Sequence, residues 1–152
     1  MSKKPENNFI RSLDRYLPPQ KYLFRQKMNT PYTGGTPDMY YSGRSGDLWV
    51  EFKFIERIPK TVNVEPNVSG LQFDWLMGRH GEGRNVALIV GCKTGGVIIR
   101  APAFCDPISP SEFVSRMLPR DEIAAWIREQ TCAGVSIGPK ASRRRKSSNA
   151  VV

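Results

Sequence analysis

GGTPDMYYSGRSGDLWVEFK, residues 34–53, is the stretch on which the fold turns. Asp38–Tyr41 and Leu48–Ile55 read as two short strands, and Ser42–Asp47, with Gly43 and Gly46, reads as the turn between them. The pattern predicts an antiparallel hairpin. Alternation along the second strand puts Glu51 and Lys53 on one side and Val50, Phe52 and Phe54 on the other. A sheet so built shows a polar face while its opposite face supplies core. Ahead of the hairpin, Pro37 biases Thr36 toward extended backbone and starts the strand rigidly. Gly34-Gly35 permits unusual dihedrals or the close approach of a ligand.

Charge gives this hairpin a chemical reading. Asp38 at the strand entry and Glu51 on the partner strand converge if the register allows it. Two carboxylates held close repel unless a cation lies between them, and an oxygen-rich site of this kind suits Mg²⁺, with Mn²⁺ as a substitute. The backbone carbonyl of Phe52, between Glu51 and Lys53, is a third candidate ligand. Such an ion would activate a water and offset charge on a phosphate. Lys53 would hold that water or stabilise the phosphorane. The competing reading is an ordinary solvated hairpin face, since ExK and PD are each common.

On the N-terminal side, a helical pattern starts at Glu6, with Phe9, Ile10, Leu13 and Leu17 on one face and Pro18-Pro19 as its stop. Glu6 continues the buried stripe. It serves either as a first-turn acid complementing the helix dipole or as a carboxylate reaching the sheet, with Asp14 as the fallback. Gln20–Thr30 reads as a short strand or an irregular lead-in.

On the C-terminal side, residues 59–67 read as loop, and Ser69 with Gln72 forms a capping-box signature for a helix over about 70–79. Gly78, Gly81 and Gly83 are expected to end it, leaving His80 in a basic loop. Trp75 reads as a core anchor in preference to a base-stacking group. Strands follow at Val86–Val90 and Val97–Arg100, then helices after Ser109 and around Asp121–Gln130. The order predicts an α/β chain in an α+β arrangement, a small mixed sheet flanked by helices. One domain is expected over 1–134, followed by a basic, disordered tail over 135–152.

The 152 residues carry a formal net charge of +9, five positive charges of which fall in 140–152, so the body is near +4. A basic surface points to polyanions, above all nucleic acid. Lys27, Arg44, Lys60, Arg79 and Arg84 flank the hairpin site in sequence and are candidates to bind phosphates without reading bases. Three scattered cysteines form neither a zinc pattern nor a disulfide framework, which favours the cytoplasm or another reducing compartment. No apolar run is long enough to span a membrane.

Pro37-Asp38, then twelve residues, then Glu51-Phe52-Lys53 resembles the PD-(D/E)XK nuclease superfamily. The wider pattern GGTPDMYY…GDLWVEFKF…GLQFDWL is similar to its VRR-NUC and Holliday-junction-resolvase-like branch, over roughly two thirds of the chain. The resemblance implies a restriction-endonuclease-like core and a metal-dependent endodeoxyribonuclease that hydrolyses phosphodiester bonds, with branched DNA among its substrates. The alternative is a non-catalytic DNA-binding protein on the same fold. It also implies that Asp38 and Glu51 bind Mg²⁺, that Lys53 is catalytic, and that an N-terminal-helix glutamate, here Glu6, completes the site. Gln72 matches a glutamine of the branch, although its capping role needs no catalysis. DNA is the implied partner, and a homodimer is compatible with a chain of this size. Arg57–Val68 is longer than a minimal version needs and reads as a phosphate-contacting loop or a subunit-pairing arm.

Overall fold

The computed structural model describes residues 4–29 and 34–133; the expected basic tail lies outside the described residues. The elements are α1 (Lys4–Leu13), β1 (Phe24–Lys27), β2 (Met39–Ser42), β3 (Asp47–Phe54), α2 (Gly70–Gly81), β4 (Val86–Cys92), β5 (Gly95–Ile99), α3 (Pro110–Arg116) and α4 (Arg120–Cys132). The strands form one sheet in the order β1-β2-β3-β4-β5. All neighbours are antiparallel except β3 and β4, which run parallel and are joined through α2. A parallel pair needs such a crossover, because a tight turn can only return the chain antiparallel. The result is the small mixed sheet with flanking helices that the order of sequence patterns predicts.

Alternation on β3 sorts the core into two layers. Leu48, Val50 and Phe52 pack with Phe9, Ile10 and Leu13 of α1 and with Ile123 and Ile127 of α4. Trp49 and Ile55 belong to the other layer, with Leu76 of α2 and Phe113 of α3. The Phe9 ring lies 6.2 Å from Phe52 and 6.0 Å from Phe54, so the first helix is clamped to the reverse side of the hairpin. β4 is buried along its whole length, as a parallel strand covered on both faces should be.

One local expectation is corrected, and two segments whose readings were open take definite places. Helix α2 continues through Gly78 to Gly81, so His80 is an exposed helical residue and not part of a loop. A Cβ at Gly78 or Gly81 would meet nothing within 4 Å; their helix penalty is about 1 kcal/mol each, and the cap together with burial of Leu76 offsets it. The connection after β3 is anchored to the body: Val64 is buried and exchanges backbone hydrogen bonds of 2.7 and 3.0 Å with Ile108. The lead-in after α1 does contain a strand, β1, held at the sheet edge by β2.

Candidate active site

The β2–β3 register pairs Met39 with Val50 and Tyr40 with Trp49. Carried one residue further, it sets Asp38 opposite Glu51. Val50 belongs to a pair that exchanges backbone hydrogen bonds, so the pairs on either side are of the kind whose side chains approach most closely. Asp38 is tied down twice. Its backbone carbonyl accepts from the Met28 N–H at 2.8 Å, and its carboxylate accepts from the Phe52 N–H at 2.8 Å. Beyond Asp38 the strand partner is Pro37, and the aspartate side chain takes the ladder position there. A strand residue directs its N–H and C=O to the same edge, so the Phe52 carbonyl opens on the side where Asp38 sits.

Glu51 lies on the α2 face and is 2% exposed. Its Oε2 accepts from Gln72 Nε2 at 2.8 Å and lies 3.4 Å from Lys53 Nζ. Lys53 Nζ also donates to Gln72 Oε1 at 3.0 Å. The same Oε1 accepts from the Ser69 N–H at 3.0 Å, while Ser69 Oγ accepts from the Gln72 N–H at 3.2 Å. Gln72 therefore closes the capping box and bridges Glu51 and Lys53 at once; the two roles weighed from sequence are not alternatives. The cap fixes the rotamer that the bridge requires.

The electrostatics follow from burial. Glu51 is pushed up to about 8 from its usual 4.5, first by loss of solvent and then by the Asp38 carboxylate; Lys53 pulls the other way, and Glu6 adds the smallest upward push. Glu51 Oε1 is buried without a hydrogen-bond partner among the described residues. A buried, unmatched carboxylate oxygen is costly, and a hard cation is one group that would satisfy it. Asp38, Glu51 and the Phe52 carbonyl are oxygen donors of the right class for Mg²⁺, which commonly takes one or two carboxylates and keeps several waters. The donor set fits.

The sequence reading had Glu6 complete that set. Among the described residues, no three His, Cys, Asp or Glu side chains come together as a metal-holding group. Helix α1 packs Phe9, Ile10 and Leu13 on the face of the sheet opposite the Glu51 side chain, and Glu6, at its first turn, acts on Glu51 as a charge. The five basic candidates also separate. Arg79 and Arg84 line a cleft of about 710 Å³ that runs from Tyr40 and Trp49 toward the hairpin turn and takes in none of Asp38, Glu51, Lys53 and Gln72; Ser45 and Gly46, beside Arg44, line it too. Lys60 is exposed on the connection after β3. Lys27 pairs with Met39, next to Asp38 in the chain, and its ammonium donates to Asn7 of α1.

Sequence reasoning missed the support beneath Gln72. Gly35 has φ +86°, and a Cβ there would come within 2.3 Å of the Leu71 carbonyl oxygen. The unusual dihedral expected of the Gly34-Gly35 pair is found at Gly35, and its close approach is to the first turn of α2. Sequence reasoning also missed the aromatic run Tyr40–Trp49–Trp75, with ring centroids 4.4 and 5.2 Å apart. The signal for it was present, since Tyr40 and Trp49 share a face with Asp38 and Glu51, but it required the register.

No protein-family model matches the sequence, and no curated protein matches it. In three dimensions the chain is similar to Hjc, a Holliday junction resolvase from the archaeal hyperthermophile Archaeoglobus fulgidus. The TM-score is 0.50 at 12% identity, covering 82% of this chain and 98% of that one. The likeness is one of fold: an α+β, mixed-sheet architecture of the resolvase and restriction-endonuclease-like kind.

Proposed function

We propose that the chain is a divalent-metal-dependent endodeoxyribonuclease of the PD-(D/E)XK type, acting on phosphodiester bonds in branched or otherwise structured DNA. The observation that carries this reading is the buried Glu51, one oxygen unmatched, held against Asp38, Lys53 and Gln72. The fold it shares with a Holliday junction resolvase supports the same class of substrate. The hairpin and the glutamine-bearing helix favour the VRR-NUC-like branch, with 1–134 as the nuclease domain.

In this reading Asp38, Glu51 and the Phe52 carbonyl hold Mg²⁺ or Mn²⁺. The cation supplies Lewis-acid charge that neutralises the phosphate and makes a water more acidic. Asp38 is kept in place by the Phe52 N–H, so it binds without reorganising. Gln72 restrains Glu51 and Lys53 together, which prevents the lysine from folding fully onto the glutamate. An ammonium has three donors; two of them are directed at Gln72 and Glu51, and the third is available for a water or a phosphate oxygen. A charge preorganised in this way stabilises the pentacovalent phosphorane more than the ground-state diester.

The test is cleavage of supercoiled plasmid and of a four-way junction with Mg²⁺, Mn²⁺ or EDTA. Cleavage that requires the cation and falls roughly 10²- to 10³-fold in Lys53→Ala is the expected result. Salt-sensitive binding with no cleavage under any cation would leave a non-catalytic DNA-binding protein on a nuclease fold.

A further inference from the structure

We infer that the cleft beside the carboxylates seats an unpaired DNA base, so that the substrate is a duplex interrupted by at least one unstacked nucleotide. This rests on the nuclease reading of the neighbouring site and narrows its substrate class. The position of the cleft is the first argument. Tyr40 and Trp49 are a cross-strand pair two residues from Asp38 and Glu51 on the same strands. Alternation puts both pairs on one face, about 7 Å apart along the sheet. Helix α2 repeats the arrangement: Gln72 meets Glu51, Trp75 meets Trp49 three residues on, and Arg79 lies over the Trp75 ring at 5.6 Å. A base held here leaves an adjoining phosphate beside the carboxylates.

The chemistry of the lining is the second argument. Tyr40, Trp49 and Trp75 are only half-buried, so part of each ring system is left to the cleft instead of to the core. Asp47 also lines it, accepting from the Tyr40 and Ser42 hydroxyls at 2.7 Å each. Asp47 is exposed, and a carboxylate in the lining disfavours a phosphate beside it and favours a neutral heterocycle with amino donors. Asn85 and Gln130, joined by a 3.0 Å amide hydrogen bond, add further neutral polar edges. Arg79 and Arg84 are exposed at the rim, where a backbone phosphate would lie. Base stacked inside and phosphate outside is the pattern of single-strand recognition, because a paired base has no free face to offer. The volume, about 710 Å³, is in the range of ligand clefts and exceeds one base.

The experiment uses the full chain in EDTA with two short duplexes carrying 2-aminopurine, one paired with thymine and one in a single-base bulge. The expected result is binding of the bulged duplex roughly tenfold tighter, with its 2-aminopurine emission quenched on the aromatic run. Trp75→Phe, which keeps a ring in the core, should weaken the quenching, and its circular dichroism reports whether the fold is retained. Equal affinity for both duplexes with unchanged emission overturns the inference, and does so in wild-type protein whatever the variant does. Parallel incubation with Mn²⁺ separates the two claims. Equal cleavage of both duplexes without quenching rejects the cleft alone. Quenching with cleavage of neither rejects the nuclease reading and upholds the cleft.

Discussion

Glu51 concentrates the electrostatic conflict of the site. It is buried beside Asp38 and offset by a single ammonium, which raises its folded pKa to about 8. Unfolded, a glutamate releases its proton near 4.5. Between those values the folded chain holds a proton that the unfolded chain has lost, so stability falls as pH rises across that window. Without divalent cation, the thermal midpoint should drop by a few degrees or more between pH 5 and pH 8. Mn²⁺ should recover most of the loss at pH 8, because it competes with that proton and binds only the folded site. Glu51→Gln removes the titration and should flatten the profile; a profile as steep in the variant as in the wild type would place the pH dependence elsewhere. Glu51 and Lys53 were legible as a pair because strand period alone assigns them to one side, whereas the place of Asp38 waited on the register. The involvement of Gln72 was visible only as a cap, since nothing in its spacing from Ser69 shows which strand it faces.

Helix α2 gives a sharper comparison, because three of its residues or contacts differ in the space around them. Gly35 sits at φ +86° with the Leu71 carbonyl where a Cβ would go, so Gly35→Ala should cost roughly 1–3 kcal/mol and displace the first turn that carries Gln72. Gly78 lies in the same helix with open space around it, and Gly78→Ala should stabilise by about 0.5–1 kcal/mol. Ser69→Ala removes the cap at a cost of about 1 kcal/mol and frees Gln72 to turn away from Lys53. Urea unfolding reads all three, and an unchanged or raised midpoint in Gly35→Ala would contradict the tight approach. The hairpin and α2 were readable because each carries its own signal, alternation in one and a capping box in the other. Strand β1 has four residues, mostly exposed, and its pairing with β2 is what makes it a strand. The segment containing Val64 has no local pattern either; its order comes from Ile108, far along the chain.

Across the molecule, the two faces of the sheet separate the larger apolar packing from the candidate site. One face holds α1 and α4 over Val50 and Phe52; the other carries α2, the carboxylate pair and the aromatic cleft. The basic residues named from sequence therefore should not act alike. Arg84→Ala, at the cleft, should reduce the slope of log affinity against log salt by about one unit. Lys27→Ala, which loses a contact with Asn7, should leave that slope unchanged. Equal effects of the two substitutions on DNA binding measured over a salt series would argue against the division. The described helices include none long and apolar enough to cross a membrane.

The sequence by itself determined the strand faces, the hairpin, the capped helix and the mixed order of elements, because period, turn residues and caps act over a few neighbouring positions. Only the tertiary structure decided that Asp38 stands opposite Glu51, that Gln72 joins Glu51 to Lys53, and that Tyr40, Trp49 and Trp75 line one cleft. Those relations depend on register and on which side of the sheet each helix packs. Both are settled by burying apolar surface between segments distant in the chain, and local residue patterns carry no record of that choice.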